Sequence, residues 1–335
     1  MNDIEFKKKI SMKKQKAQEK AKSCIWGENL NGEDTCEGKI IKAHSIQRGK
    51  ILKNISYNGM IKSLEVVVEN GIPNVVFNEV GIKKFSTFTG FCQKHDKKIF
   101  EPIEDHFFEN TIMQKYIYAY RAVSKEYNAK KVSIHLTDEE ISDNDDKKIK
   151  FILKRKMLTD VMSLLELEGS CKYMQNRLYS NKLTGLKHHY YCFDREYPIA
   201  CSSTFIPYHS FSGKPLFTKE EKDSIIFKAG ENPNEIYSLF VNVFPENGKT
   251  HILISYFNKH KKRYKFLSKL ERLSLEKQKI QISNMLINYI ENLAFSPLYI
   301  EEKFSSKEIQ KIKDTFIASV INPDNFESMD INLFR

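Results

Sequence analysis

Long apolar runs are absent from this sequence, and so are the motifs of several large enzyme classes. No stretch approaches the roughly 18 consecutive apolar residues of a membrane-spanning helix. The basic N-terminus lacks the apolar segment of a secretory signal, so we expect a cytoplasmic protein without membrane contact. There is no Walker A motif, no dinucleotide-binding glycine fingerprint and no Gly-x-Ser-x-Gly elbow. Enzymes built on those three devices are therefore not expected.

Cysteine is scarce as well, with six residues in a chain of 335. Without a secretion signal, metal binding or free thiols are expected rather than disulfides. Cys171, Cys192 and Cys201 lack the spacing of metal ligands, and we expect them to be ordinary buried thiols. The other three cysteines lie in the first third of the chain, where one of them is paired with a histidine.

That N-terminal set consists of Cys24, Cys36, Cys92 and His95. Cys92 and His95 have the two-residue spacer of a zinc knuckle, and Cys3His is a standard structural zinc set. Eleven residues separate Cys24 from Cys36, where knuckles usually have two to four, so we expect a glycine-containing insert to loop out. The alternative is three unrelated buried cysteines and an incidental histidine. The sequence predicts one structural Zn²⁺ on these four ligands.

What the sequence has in excess is positive charge. Lys and Arg outnumber Asp and Glu by 54 to 43, which gives a net charge of +11, and the excess is concentrated in residues 1–22 and 259–279. Such runs suit a polyanion, and we expect nucleic acid, DNA or RNA, held without sequence preference through its phosphates. The alternative is two solvated helix faces. The residues predicted to bind nucleic acid are Lys7, Lys8, Lys9, Lys13, Lys14, Lys261, Lys262 and Arg263.

Length and pattern predict two domains of an α+β protein. We expect a basic arm at 1–22, a zinc module with a long helix at 23–127, an acidic linker at 128–147, and an α+β domain of no recognised family at 148–335. In that last domain, an antiparallel sheet is expected to be flanked by helices. The predicted helices are 102–126, with Pro102 in its first turn, and 148–168, 262–293 and 305–319. The predicted strands are 64–68, 74–77, 188–193, 198–206, 236–244 and 250–257, the last two joined by an Asn-Gly turn.

Residues 23–105 resemble the His-Asn-His (HNH) and treble-clef nuclease superfamily. The matching segments are Cys24 and Cys36, then Ala43-His44-Ser45-Ile46, then Phe91-Cys92-Gln93-Lys94-His95-Asp96. The resemblance implies a treble-clef, ββα-metal-like zinc module in which His44 is the general base that deprotonates water for attack on phosphorus. It also implies a second divalent ion, Mg²⁺ or Mn²⁺, and it makes Asp96 a ligand of that ion or a residue that orients the histidine.

The sequence departs from the family pattern near the proposed active site. Ala43 stands where an acidic ligand is often found, and the middle asparagine is matched only by position, by Asn54 or Asn58. Glu104 and His106 lie shortly after the Cys-x2-His pair and are further candidates for the active site. Their alternative roles are helix-terminal charge and an exposed histidine.

Two functions of different classes fit these features. The first is an HNH-type endonuclease, which by analogy with known fusions would be the effector of a bacterial defence system. The second is a non-catalytic, zinc-ordered module that binds or senses nucleic acid or a protein partner. An enzyme acting through the C-terminal domain is a third class, with Ser202, Ser203 and His209 as weak candidates. A His44 that faces a cleft beside a carboxylate favours the nuclease, whereas a buried His44 bonded to the backbone favours the binding module.

Overall fold

The computed structural model describes residues 3–29, 34–69, 72–222, 237–322 and 324–335. It confirms the mixed α+β class, and the paired strands within these ranges run antiparallel. No helix in the same ranges combines the length and the apolar character needed to cross a bilayer.

Helices and strands alternate irregularly along the chain. The helices are α1 Asp3–Lys20, α2 Ile25–Asn29, α3 Lys53–Ile55, α4 Gln93–Glu104, α5 Ile112–Ser142, α6 Lys147–Tyr179, α7 Lys265–Leu270, α8 Leu275–Tyr289, α9 Pro297–Lys303 and α10 Ser306–Ile321. The strands are β1 Ile40–His44, β2 Met60–Glu69, β3 Ile72–Gly81, β4 Thr87–Cys92, β5 Leu186–Phe193, β6 Ile199–Phe205, β7 Leu239–Glu246, β8 Lys249–Phe257 and β9 Leu293–Phe295.

The strands form a small ribbon and a large sheet. Strands β1 and β4 pair with each other, and the large sheet has the order β3-β2-β9-β6-β7-β8-β5. The predicted Asn-Gly turn joins β7 to β8, with positive φ angles of 53° at Asn247 and 74° at Gly248. This left-handed backbone matches the twist of a tight hairpin. The C-terminal strands therefore lie close to their predicted positions.

The predicted helix 102–126 is wrong, because the structure has two helices, α4 and α5, in its place. Pro102 lies in the last turn of α4 rather than in the first turn of a helix. The Gln114 amide holds the connection by donating to the carbonyls of Pro102 at 3.1 Å and Phe107 at 2.7 Å. The Thr111 hydroxyl then caps α5 by accepting from the Gln114 backbone N–H at 3.2 Å. One buried glutamine thus fixes the turn between the helices.

The predicted acidic linker is also wrong, because α5 continues to Ser142 and α6 begins at Lys147. Its carboxylates face the basic N-terminal segment, which forms helix α1. Lys13 pairs with Asp143 at 2.7 Å, and Lys20 pairs with Glu139 at 3.3 Å. Two of the six carboxylates of residues 137–146 thus pair with lysines of α1, and a third, that of Asp146, caps α6.

The large sheet crosses the predicted boundary between the two domains. Strand β2, from the N-terminal half, pairs with β9 through Lys62 and Phe295. The Ser63 hydroxyl adds a 2.8 Å hydrogen bond to the Leu293 carbonyl. A single cluster of buried apolar side chains likewise includes residues of the zinc module and of β7 and β8. The N-terminal β2–β3 hairpin is therefore an edge of the C-terminal sheet.

Glu166 on α6 is a buried carboxyl that should make stability depend on pH. Burial raises its pKa to about 7, while the Ser238 hydroxyl, which donates to Oε1 at 3.0 Å, partly opposes the rise. The carboxyl therefore ionises near pH 4.5 in the unfolded chain but only near pH 7 in the folded one. The free energy of unfolding should fall by roughly 3 kcal/mol as pH rises through this window.

We predict that Glu166→Gln removes this fall. Between pH 5 and pH 8, the variant's free energy of unfolding should increase relative to that of wild type by up to roughly 3 kcal/mol. Urea unfolding at several pH values measures the difference. Glu168→Gln is the control, since Glu168 lies on the same helix and pairs with Lys172 at 2.6 Å. Parallel stability curves for Glu166→Gln and wild type would contradict the prediction.

Candidate metal centre

The four predicted zinc ligands lie together in the structure. Ligand atoms of Cys24, Cys36, Cys92 and His95 are all within 4.8 Å of one another. Cys92 immediately precedes α4 and His95 lies in its first turn, so the two-residue spacer brings both side chains together. Cys24 directly precedes α2, and the centre of the glycine-containing insert, residues 30–33, lies outside the described residues. The Cys3His group could bind a metal ion such as zinc.

The distances from the imidazole to the three sulfurs are near those of a tetrahedral zinc site. Nδ1 of His95 is 3.2 Å from the sulfur of Cys24, 3.7 Å from that of Cys36 and 3.2 Å from that of Cys92. Typical Zn–S and Zn–N bonds in a tetrahedron place nitrogen and sulfur about 3.6 Å apart. The imidazole and the thiols of Cys24 and Cys92 are buried, whereas Cys36 is exposed. Three thiols and one imidazole are the donor chemistry that zinc prefers. A bound ion would order the module by joining its separate segments.

Gly27 explains how Cys36 reaches the cluster across its long spacer. A regular Cys-x2-Cys knuckle that begins at Cys24 would place its second cysteine at residue 27, which is glycine. A Cβ at Gly27 would overlap the sulfur of Cys36. The thiol of Cys36 therefore occupies the position that the side chain of a cysteine at residue 27 would take in a regular knuckle. The sequence carried this signal, the two-residue step from Cys24 to Gly27, but we did not predict the role of the glycine.

Asp34 is a residue of the site that the sequence analysis missed. Its Oδ2 lies 3.4 Å from Nε2 of His95, somewhat long for a hydrogen bond, and Nε2 has no closer partner among the described residues. Asp34 also accepts from Trp26 at 3.2 Å and Lys98 at 2.8 Å. These contacts, that of Lys98 above all, hold the pKa of Asp34 well below its usual range. The carboxylate is placed to fix the ring of His95 with Nδ1 toward the metal.

The thiols of the cluster differ in how readily they ionise. Burial raises the pKa of Cys24 to about 12 and also raises that of Cys36. The pKa of Cys92 is lowered, because backbone groups of His95 and Glu37 outweigh the opposing effect of burial. Metal binding requires all three thiolates, so it would release protons and depend on pH.

His44, the predicted general base, is the last residue of β1 and lies opposite Thr87 of β4. Its Nε2 lies 3.1 Å from the carbonyl of Ile82, and a carbonyl can only accept. Nε2 therefore carries the proton, and Nδ1 has no hydrogen-bond partner among the described residues. Burial lowers the pKa of His44, Arg48 adds to this, and the bond to Ile82 opposes it. The half-buried ring is thus held neutral, with one nitrogen able to accept a proton.

Asp96, the other predicted catalytic residue, has the same electrostatic neighbours as His44, namely Glu104 and Arg121. Its buried Oδ1 has no hydrogen-bond partner among the described residues. Burial raises the pKa of Asp96 to about 6, and Arg121 opposes the rise. Arg121 donates to Glu104 and lies 4.1 Å from the ring of Phe100. No carboxylate of the described residues is within hydrogen-bond distance of His44.

The other active-site candidates lie in turns or in contacts that do not involve His44. The Asn54 amide donates to Glu196 at 2.9 Å. Asn58 has a positive φ of 49° in the turn before β2. His106 is exposed, and its carbonyl accepts from Lys50 at 3.1 Å. Neither asparagine contacts His44 within the described residues, so the middle position of the HNH pattern stays unmatched.

The predicted nucleic-acid contacts do not share one environment. Lys13 is held by Asp143 at 2.7 Å, and Arg263 is held by Glu221 at 2.6 Å. The side chain of Lys7 lies outside the described residues. The exposed members of the set are Lys8, Lys9, Lys14, Lys261 and Lys262.

The proximity of Gly27 and Cys36 generates the first test of this centre. We predict that the pair Gly27→Cys and Cys36→Ser keeps about one zinc per chain, because the backbone at residue 27 is not in the left-handed region and its side chain would point at the same place. Cys36→Ser alone should bind zinc much more weakly. Elemental analysis of the purified proteins measures the metal.

Cys92→Ser is the matched control for losing one thiolate that no other residue replaces. A double variant as poor in zinc as Cys36→Ser would show that residue 27 cannot reach the ion. Full zinc retention by Cys92→Ser would contradict the whole assignment.

The contact between Asp34 and His95 generates the second test. We predict that Asp34→Asn weakens zinc binding about 10–100-fold, the usual effect of removing a carboxylate behind a ligating histidine. Competition with a chromophoric chelator measures the affinity. Lys98→Ala is the control, because it removes the ammonium at 2.8 Å from Asp34 and leaves the carboxylate in place. Equal losses in both variants would mean that Asp34 acts only through its surface ion pair.

No protein-family model, no curated protein and no solved structure matches this chain. The likeness to HNH nucleases therefore depends on the segments that contain the two N-terminal cysteines, His44 and the Cys-x2-His pair.

Proposed function

We propose that this protein is a metal-dependent nuclease of HNH type whose treble-clef zinc module carries His44 as the general base. The observation that carries the proposal is a half-buried imidazole whose Nδ1 has no hydrogen-bond partner among the described residues, with the unpartnered carboxylate oxygen of Asp96 in the same electrostatic surroundings. The Ile82 carbonyl fixes the proton on Nε2, and burial lowers the pKa so that the neutral ring prevails near pH 7. A general base needs an unprotonated nitrogen at the working pH, and Nδ1 is that nitrogen.

The hydrolysis would use His44 to take a proton from water as the water attacks phosphorus. The phosphodiester bond to the leaving oxygen then breaks, and that oxygen takes up a proton. A divalent ion of the Mg²⁺ or Mn²⁺ class, when bound, would stabilise negative charge on the phosphate and the leaving oxygen. Asp96 is the carboxylate that best fits such an ion, because its buried Oδ1 has no hydrogen-bond partner among the described residues, whereas Glu104 is already engaged by Arg121.

A non-catalytic, zinc-ordered binding module is the second candidate. One observation favours it: His44 is bonded to the backbone, and none of the described carboxylates lies within hydrogen-bond distance of it. In that case zinc would order the module, and the excess of lysine would bind nucleic acid without cutting it. A role in bacterial defence stays a prediction by analogy for either function.

We predict that His44→Ala lowers cleavage of plasmid DNA or RNA in added Mg²⁺ or Mn²⁺ by a factor on the order of 10²–10⁴, the usual cost of losing a general base. Zinc content and the unfolding transition should stay as in wild type. Wild-type cleavage should fall as pH drops below 6.5, because protonation of His44 removes the base and burial keeps its pKa below that value. A gel-based nicking assay across pH measures all three proteins in this comparison: wild type, His44→Ala and His106→Ala.

His106→Ala is the control, since it removes an exposed histidine from the predicted zinc module, residues 23–127, that also contains His44. Wild-type rates in a folded, zinc-loaded His44→Ala protein would refute the catalytic role. Binding of nucleic acid by a wild type that leaves every substrate intact would favour the second candidate.

A further inference from the structure

A basic groove runs beside the β1–β4 ribbon, between helices α1 and α5. It encloses about 490 Å³ and is lined by residues from α1, the ribbon, the turn before β4 and α5. Four lysines reach it from four different segments: Lys14 from α1, Lys42 from β1, Lys84 from the turn and Lys125 from α5. Only Lys14 belongs to a charged run that the sequence singled out. The other three are isolated in sequence and brought together by the fold.

The charge of this basic groove is largely uncompensated. Its described lining contains no Asp or Glu. Within the described residues, Lys14, Lys42 and Lys84 have no ion-pair partner, and all three are exposed. Lys125 pairs at 3.3 Å with its chain neighbour Glu126. Four cations without matching carboxylates in the groove create a positive potential that a bound polyanion would neutralise.

The lysines of helix α1 lie in two different environments. Lys13 and Lys20 pair with Asp143 and Glu139 at the end of α5, which fixes the helix in place. Lys14, next in sequence to Lys13, lies instead in the lining of the basic groove. The ion pairs therefore position α1 so that an ammonium without a carboxylate partner among the described residues faces the groove.

Two asparagines in the lining of the basic groove, Asn128 and Asn292, form hydrogen bonds with neighbouring segments. Asn292 donates to the hydroxyls of Ser45 at 3.2 Å and Ser86 at 3.1 Å and to the Ser202 carbonyl at 2.9 Å. Asn128 accepts from the backbone N–H of Thr89 at 3.2 Å. These hydrogen bonds join the ribbon, the turn before β4, α5 and the segment before β9 around the groove.

We propose that the basic groove binds the sugar-phosphate backbone of one strand of nucleic acid; this inference rests on the proposed function and names where its substrate lies. Separate lysines on a track suit the repeated charges of a strand, since each acts as a point charge on a phosphate. A volume of about 490 Å³ lies within the size range of small-ligand pockets, so the groove itself would hold only a short stretch of one strand.

The position of the groove also suits delivery of a strand to His44. Along β1, Ala43 is buried while Lys42 is exposed and His44 half-buried, so the latter two share the outer face of the ribbon. Thr87, which lies opposite His44, is itself part of the groove lining. A strand held by Lys42 would thus pass the imidazole.

The test compares binding by two double variants. Lys42→Gln with Lys84→Gln removes two groove charges; Lys303→Gln with Lys307→Gln removes two exposed charges elsewhere. Both are made in the His44→Ala protein, so cleavage does not enter. Anisotropy titrations use a labelled 12-nucleotide strand, the matching duplex and a glutamate-rich peptide of equal charge, each at several salt concentrations.

We expect the groove variant to bind the single strand at least about tenfold more weakly, and its salt slope to fall by about 1.4, or 0.7 for each phosphate that a lysine no longer neutralises. The control should bind as the parent does. Equal binding by the two variants, or no binding by the parent at low salt, would overturn the inference. So would an equally large decrease in binding of the acidic peptide, or tighter groove-dependent binding of the duplex.

This result is separable from the nuclease assay. A wild type that cuts through His44 while its groove variant binds normally refutes only the groove. Loss of single-strand binding in the groove variant, together with a wild type that cuts no substrate, refutes only the catalytic role.

Discussion

Three thiols and one imidazole converge in the N-terminal module, and most of what the module does depends on that convergence. The cluster connects the start of α2, the segment before β1 and the junction of β4 with α4. Without a metal ion, two of the three thiols resist ionisation because burial raises their pKa. An ion reverses that balance, and its binding free energy becomes folding free energy. A bound ion would therefore help to position the ribbon that carries His44 and Lys42, because Cys92 ends β4 at the other end of that ribbon.

The parts of the fold that were predictable are those decided by local pattern. The pair Cys92 and His95 has a spacing that only a tight turn satisfies, and the turn at Asn247 and Gly248 has the residues a hairpin requires. The predicted Cys3His group and the antiparallel C-terminal strands are confirmed for this reason.

The parts that were not predictable depend on partners distant in sequence. Gln114 ends one helix and starts another by bonding to carbonyls up to twelve positions away. In the acidic run at 137–146, Glu139 and Asp143 pair with lysines of α1, more than 100 residues earlier in the chain. Asp34 was not predicted, since nothing in its sequence neighbourhood marks it as the partner of His95. In each case a long-range contact overrode the local pattern.

The number of lysines in a segment does not tell where their charges lie in the folded protein. The run at 1–22 is a single basic arm in the sequence, yet Lys13 and Lys20 pair with the end of α5 while Lys14 faces the basic groove. Lys42 and Lys84 belong to no run. Whether a lysine has a carboxylate partner is a property of the fold and not of its sequence neighbours.

The turn before β4 is where the large sheet, the candidate base and the basic groove meet. The Ile82 carbonyl accepts a hydrogen bond from Nε2 of His44. The backbone N–H of Ile82 donates to the Gly59 carbonyl at 3.0 Å, at the start of the β2–β3 hairpin. Two residues later, Lys84 enters the groove lining. The hairpin is an edge of the seven-stranded sheet, so the carbonyl that bonds the imidazole is connected to the C-terminal strands as well as to the β1–β4 ribbon. One backbone carbonyl next to that hairpin thus decides which ring nitrogen of His44 carries the proton.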